Sequence, residues 1–214
     1  MNGLGIVSKE RGMTNYSRDQ RAPPTLQYTT SLTWSSRVFG YSFVQIYTPR
    51  DGSCLFHALL NAFHKPYREG KYHGQVVPRK QIVIDLRREL ARCLPTVYSR
   101  LWNGALASFG AEVDKNYSLP NMQRALANFE THIGYGYLRY ISDSLDKDIY
   151  IFSALTQELY VSDDLPVTGR RGSILLYWLH DHYELIGITS RQGLVTYFSP
   201  NDPLIKELYA RLRK

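Results

Sequence analysis

The chain has 214 residues, 43% of them hydrophobic and 21% charged, with a net charge of +7. That balance describes one globular domain with extensions and excludes a wholly disordered chain. The absence of an 18-residue apolar run excludes a hydrophobic membrane helix; two cysteines are too few for a disulfide framework and no C-x-x-C or Cys/His cluster of a zinc site is present, which points to a reducing, intracellular setting with no metal or cofactor.

Residues 1–40 read as an N-terminal extension, flexible or laid over the core. Gly3 to Val7 is too short for a secretory leader and is followed by Lys9, Glu10 and Arg11. The segment carries Pro23-Pro24 and no sustained periodicity, although Leu26, Tyr28, Leu32, Trp34 and Val38 leave room for a short strand. Five basic residues against two acidic ones concentrate part of the charge excess here. Such an excess raises nucleic-acid binding as one reading. No nucleic-acid motif accompanies it, so a solvated basic surface is the plainer account.

The domain proper is read as 41–214. Tyr41 to Tyr47 alternates as a strand. Pro49 and Asp51-Gly52 make a turn, and Cys54 to Phe63 is an apolar helix with Leu55, Leu59 and Ala62 at helical spacing. Cys54 then sits in the first turn, where unpaired N–H groups and the helix dipole favour an anion and lower a thiol pKa. The plain alternative is a small apolar residue packing the start of a core helix. His64 to Pro78 reads as a loop. Arg79 to Cys93 reads as a helix with Ile82, Ile84, Leu86 and Leu90 inward and Arg87, Arg88, Glu89 and Arg92 in water; Cys93 is a packing residue.

Two short helices are expected over 95–120 and another from Met122 to Ile133. A helix over Leu138, Ile141 and Leu145 leads through Asp146-Lys147-Asp148 to a strand from Ile149 to Phe152. Leu155 to Tyr160 could extend the sheet as a hairpin arm. Ser173 to Leu179 and Tyr183 to Ile188 are apolar strands joined by a turn, Gly193 to Phe198 is a last hairpin strand, and Asp202-Pro203 opens a C-terminal helix. The mixture predicts an α+β (α/β) domain.

Asp51-Gly52-Ser53-Cys54-Leu55-Phe56-His57 resembles the nucleophile motif of the ovarian-tumour (OTU) family of cysteine proteases, which are deubiquitinases of papain-like chemistry. The second motif of that family is an apolar strand, then His, an aromatic, an acidic residue or Asn, and an apolar residue; His182-Tyr183-Glu184-Leu185 fits it. The separation of the two motifs is like that of the papain/cathepsin signature. Tyr135-Gly136 stands where many members carry Trp-Gly.

The resemblance implies a papain-like OTU fold, with a central mixed or antiparallel sheet flanked by helices. It implies Cys54 as nucleophile and His182 as general base and then acid, with His180 as a rival on alternate strand parity. Asp51 and Glu184 compete to orient the histidine, Asp51 being preferred, although it could instead hold the oxyanion loop. Gly52, free to adopt a turn conformation, and Cys54 would supply oxyanion N–H groups, and Tyr183 a wall of the substrate channel. His57, His64, His73 and His132 are expected at the surface or in caps. Asp143, Asp146, Asp148, Asp163 and Asp164 are candidates to meet a basic substrate tail. The implied partner is ubiquitin or polyubiquitin, or a ubiquitin-like modifier, cleaved after its Gly-Gly tail by a cytoplasmic monomer (in the host cytoplasm if the protein is viral). A ubiquitin-binding module without catalysis is the alternative within the same resemblance.

Overall fold

The computed structural model describes residues 29–102, 117–160, 167–190 and 193–213. The described elements run β1 (Thr29–Leu32), α1 (Thr33–Phe39), β2 (Phe43–Ile46), α2 (Cys54–Phe63), α3 (Lys65–Glu69), β3 (Lys71–Tyr72), β4 (Gln75–Val76), α4 (Arg79–Cys93), α5 (Tyr98–Trp102), α6 (Leu119–Ala127), α7 (Leu138–Leu145), β5 (Lys147–Ser153), β6 (Gly172–Leu179), β7 (His182–Ser190), β8 (Gly193–Val195) and α8 (Pro203–Leu212). Single 3-10 turns cover Leu94–Thr96 and Tyr135–Tyr137.

Period-2 alternation organises the sheet. Its order is β1-β2-β7-β6-β5, with β8 paired to the far end of β7. The β5–β6 pair is parallel and the others antiparallel, so the sheet is mixed. Val44, Ile46, Ile149, Ile151, Ile174, Leu176, Tyr183 and Leu185 face α2, α4, α6 and α7. Their alternates Phe43, Tyr150, Phe152, Leu175, Tyr177 and Ile186 face α1 and α8. Helices therefore cover both faces, and a strand buried on both sides carries apolar residues at consecutive positions.

Part of the 1–40 segment belongs to this core. Thr29–Leu32 pairs with Phe43–Ile46 as an edge strand, and Trp34 packs against Phe39, Phe43, Phe152 and Tyr177 at 5.8–6.3 Å between ring centroids. Ser35 pins the corner: its Oγ lies 2.6 Å from Leu32 O and accepts from Phe43 N–H at 3.0 Å. Gly40, at φ +70°, ends α1 in the left-handed conformation that favours glycine. Residues 1–28 lie outside the described residues.

Two local expectations change and one stands. The 64–78 segment is not loop throughout: α3 ends at Gly70, and β3 and β4 form a small ribbon. The helix expected from Met122 to Ile133 runs instead from Leu119 to Ala127, since the chain leaves it at Asn128 to lay residues 128–131 against the 51–53 loop. At the C-terminus, Asp202 Oδ1 accepts from Leu204 N–H at 2.9 Å and Pro203 follows it, a cap the residues announce.

Trp34 decides whether residues 29–40 share the cooperative unit. Trp34→Ala is expected to lower unfolding free energy by about 3–5 kcal/mol, measured by urea titration with the m-value preserved. A loss within ~0.5 kcal/mol would mean that the segment is dispensable.

Candidate active site

The site forms where β2 leaves β7. The two strands pair to Ile46–Leu185 and no further, although β7 continues back to His182 beside β6. The amide and carbonyl of Tyr183 on that open edge need partners. Thr48 Oγ1 donates to Tyr183 O at 2.7 Å, and the Tyr183 N–H lies close enough to the Cys54 sulphur to pull the thiol pKa down. The thiol at the first residue of α2 is thereby held against the residue that follows His182.

The same corner determines the histidine tautomer. His182 is 4% exposed; its Nε2 lies 3.2 Å from Glu184 Oε1 and 3.4 Å from Thr48 Oγ1. The single Thr48 hydrogen already serves Tyr183 O, so Thr48 can only accept at Nε2. Nε2 therefore carries the proton, and Nδ1, which takes no hydrogen bond among the described residues, keeps its lone pair. Glu184 is 2% exposed; its Oε2 accepts from Gln45 Nε2, so both carboxylate oxygens are occupied. Period 2 puts His182 and Glu184 on one parity, and the β2–β7 register brings Gln45 beside them.

Asp51 does not meet His182. Its Oδ1 accepts from Ser53 N–H at 2.8 Å and its Oδ2 lies 3.1 Å from His57 Nε2. His57 Nδ1 in turn lies 2.6 Å from the Tyr67 hydroxyl. His57 is thus buried in a network rather than at the surface, and burial pushes its pKa down despite the Asp51 charge. Of the two competing carboxylates, Glu184 is the one on the histidine, and Asp51 braces the loop before the nucleophile. Asp51, His57 and Tyr67 line a cavity of about 510 Å³ together with Tyr47, Lys80 and Phe129.

Gly52 is needed for closeness rather than for a turn conformation: a Cβ there would lie 2.0 Å from the Glu130 carbonyl, and its φ is not positive. Its N–H has no acceptor among the described residues. Cys54 N–H makes a long 3.3 Å bond to Asp51 O, which a developing oxyanion would displace. Ser53 Oγ donates to Phe129 O at 2.6 Å and accepts from Arg87 Nη1 at 2.8 Å. Arg87, expected in water, is fully buried. The helical series Val83, Arg87, Leu90, Leu94 runs along the buried stripe of α4, and that spacing was the available signal. Burial lowers its pKa to about 10, so the guanidinium remains charged at neutral pH.

Electrostatics at Cys54 oppose the lowering that a helix start alone would give. Burial pushes the thiol up; hydrogen bonds from Tyr183 and Leu55 N–H pull it partly back, and Asp51 and Asp181 push it up again. A thiol so placed requires a neighbouring base to become a thiolate.

The remaining candidates separate cleanly. His180 occupies the β6–β7 turn at φ +60° and is exposed, so it shares no strand face with His182. His73 and His132 are exposed and His64 half-buried. Tyr183 is 4% exposed and packs in the core beneath the sheet rather than walling an open channel. Its cross-strand partner Trp178, half-buried edge-on to Tyr160, is the aromatic nearer the surface. Asp143 and Asp146 pair with Arg171, and buried Asp148 accepts from Thr168 and Gly169. Asp163 and Asp164 lie outside the described residues. Among the described residues no cluster of His, Cys, Asp and Glu could hold a metal, and no helix is long and apolar enough to cross a membrane.

With His182 removed, the thiol should reveal its own environment. In His182→Ala the pH midpoint of Cys54 alkylation by iodoacetamide is expected above the free-cysteine value of about 8.5, and Asp181→Asn in that background is expected to lower it. A midpoint at or below the free-cysteine value would overturn this account of the thiol.

No protein-family model matches the chain, and no curated protein matches it by sequence. Solved structures do match. An ovarian-tumour (OTU) domain in complex with ubiquitin aligns at a TM-score of 0.50 and 19% identity, over 87% of this chain and 90% of that one. The OTU domain of OTUD1 aligns at 0.44 and 17% identity, over 67% and 85%, and the viral OTU domain protease from Farallon virus at 0.39 and 17%, over 68% and 84%. The first of these, with the mixed sheet and its helical layers, identifies the fold of this chain as that of an ovarian-tumour domain.

Proposed function

We propose that the protein is a thiol-dependent deubiquitinase that hydrolyses the isopeptide bond after the Gly-Gly tail of ubiquitin or of a ubiquitin-like modifier. The observation that carries the reading is the Glu184–His182 pair at the start of β7, next to the residue whose amide holds the Cys54 sulphur. The ubiquitin-bound OTU domain with the same fold supports the choice of substrate.

The proposed steps start from the His182 tautomer described above. His182 Nδ1 takes the Cys54 proton, Nε2–H stays on Glu184, and the imidazolium that forms faces a carboxylate. The sulphur attacks the terminal glycine carbonyl carbon, and the oxygen gathers charge toward the Gly52 and Cys54 N–H groups. The tetrahedral intermediate expels the lysine amine, which takes the proton from Nδ1 and leaves a thioester. Water, deprotonated by the same nitrogen, attacks the thioester carbonyl; collapse releases the ubiquitin carboxylate and returns the thiol.

The test is labelling by ubiquitin bearing a thiol-reactive C-terminus, with turnover of ubiquitin dimers of every linkage. Labelling is expected to vanish in Cys54→Ala. Glu184→Ala is expected to lower kcat about 100-fold with KM little changed, whereas Asp51→Asn, which keeps an acceptor for Ser53 N–H, costs about tenfold. Ubiquitin binding without labelling or turnover would leave a binding module instead. Retention on nucleic acid that weakens steeply with salt, with no ubiquitin binding, would replace the reading altogether.

A further inference from the structure

Arg87 is a buried cation for which no ion pair with a carboxylate is found among the described residues. Its Nε donates to Leu126 O at 2.8 Å. Its Nη1 reaches Gly52 O at 3.0 Å, Ser53 Oγ at 2.8 Å and Phe129 O at 3.3 Å. Its Nη2 reaches Ala125 O at 2.6 Å and Thr131 O at 2.9 Å. The plane also lies over the Phe56 ring, 4.7 Å from its centroid. These acceptors come from two segments far apart in sequence, the nucleophile loop and the end of α6 with the turn that follows it. Arg87 itself stands on a third, α4. Ala125 and Leu126 belong to the last turn of α6, whose carbonyls lack helical donors and carry the negative end of the dipole.

We infer that Arg87 is a positioning residue for the nucleophile, holding the 51–53 loop against residues 125–131 so that the Gly52 amide and the Cys54 thiol are preset. Three features favour this over simple packing. The contact is with the two residues immediately before Cys54. Gly52 packs against the Glu130 backbone so closely that no side chain fits between them. The five N–H groups of a planar guanidinium suit acceptors spread over two segments, which three ammonium donors on a flexible stem do not. The guanidinium also lies near enough to Cys54 for a thiolate there to raise the Arg87 pKa.

The inference rests on the deubiquitinase reading only for its turnover arm. In a Cys93→Ser background, Arg87→Lys, Arg87→Met and Ser53→Ala are compared by site-resolved iodoacetamide alkylation of Cys54 across about pH 5–10, by kcat and KM on a fluorogenic ubiquitin substrate, and by near-UV circular dichroism. Folded Arg87→Lys is expected to lose about tenfold in kcat with KM within about twofold. Arg87→Met is expected to add an upward shift of the alkylation midpoint by about half a unit, since a nearby cation favours the thiolate. Ser53→Ala, a milder cut of the same clamp, is expected to lose about fivefold in kcat. Folded Arg87 variants with wild-type kcat and an unmoved alkylation profile overturn the inference, as does a loss confined to KM. If neither Arg87 variant folds, an unchanged kcat in Ser53→Ala overturns it. If ubiquitin is not turned over at all, the limiting alkylation rate of the Cys54 thiolate at high pH in folded Arg87→Lys, which keeps the charge, decides: a rate changed from wild type supports positioning, and an unchanged one refutes it.

Discussion

Strand β2 stays with β7 only to the Ile46–Leu185 pair, and the Tyr183 backbone beyond it must be satisfied by something other than a strand. A buried amide left without a partner costs roughly 1–3 kcal/mol, so the departing chain must bring replacements with it. It brings Thr48 for the carbonyl and, six residues later, Cys54 for the amide. The unpaired strand edge is therefore a structural demand and the origin of the site together. His182 starts β7 at that edge, and the turn through Asp51 delivers the start of α2 to the same place.

Two carboxylates near the nucleophile each hold an imidazole, in different surroundings. Glu184 is 2% exposed and has both oxygens occupied, by His182 and Gln45. Taking a carboxylate out of water costs several kcal/mol, roughly, unless such bonds are in place. Those bonds offset that cost. Asp51 keeps about a quarter of its side chain exposed and is tied to a main-chain N–H and to His57, with Tyr67 behind. Its bonds stiffen the loop and do not depend on the charge of His182. One carboxylate thus meets the His182 imidazole and the other shapes the backbone before Cys54, a division that follows from reach: Glu184 shares strand parity with His182, whereas Asp51 lies in the turn before the helix.

The elements with strong periodicity were legible in the sequence: α2, α4, α7, β5, β6, β7 and the capped α8 sit within a few residues of where their patterns place them. So was the association of the two motifs, through residues alone. Three things were not. The helix that stops at Ala127 carries apolar residues past its end, at Phe129 and Ile133, because the turn packs where a helix would have packed; periodicity cannot tell the two apart. Gly52 looked like a turn glycine, but its reason is a contact with residue 130, visible only in three dimensions. The choice between Asp51 and Glu184 depended on which side chain reaches Nε2, and that is settled by strand register rather than by residue type.

Arg87 illustrates why charge alone is a poor guide to exposure. Four charged residues follow one another closely in α4, and the pattern suggests one wet face. Yet α4 turns about 100° per residue, so Arg87 falls among Val83, Leu90 and Leu94 while Arg88 and Arg92 remain outside. A carboxylate partner would have neutralised it, but would have bound it at one point. Carbonyls from two segments leave the charge solvated by dipoles and turn it into a tie between them. The helix end at Ala125 and Leu126 is a suitable place for such a cation, and the loop it ties is the one that leads into Cys54. On the inference above, stability and site geometry are carried by the same group, and a measurement of folding alone does not separate them; a folded variant that keeps the charge and loses the planar fork does.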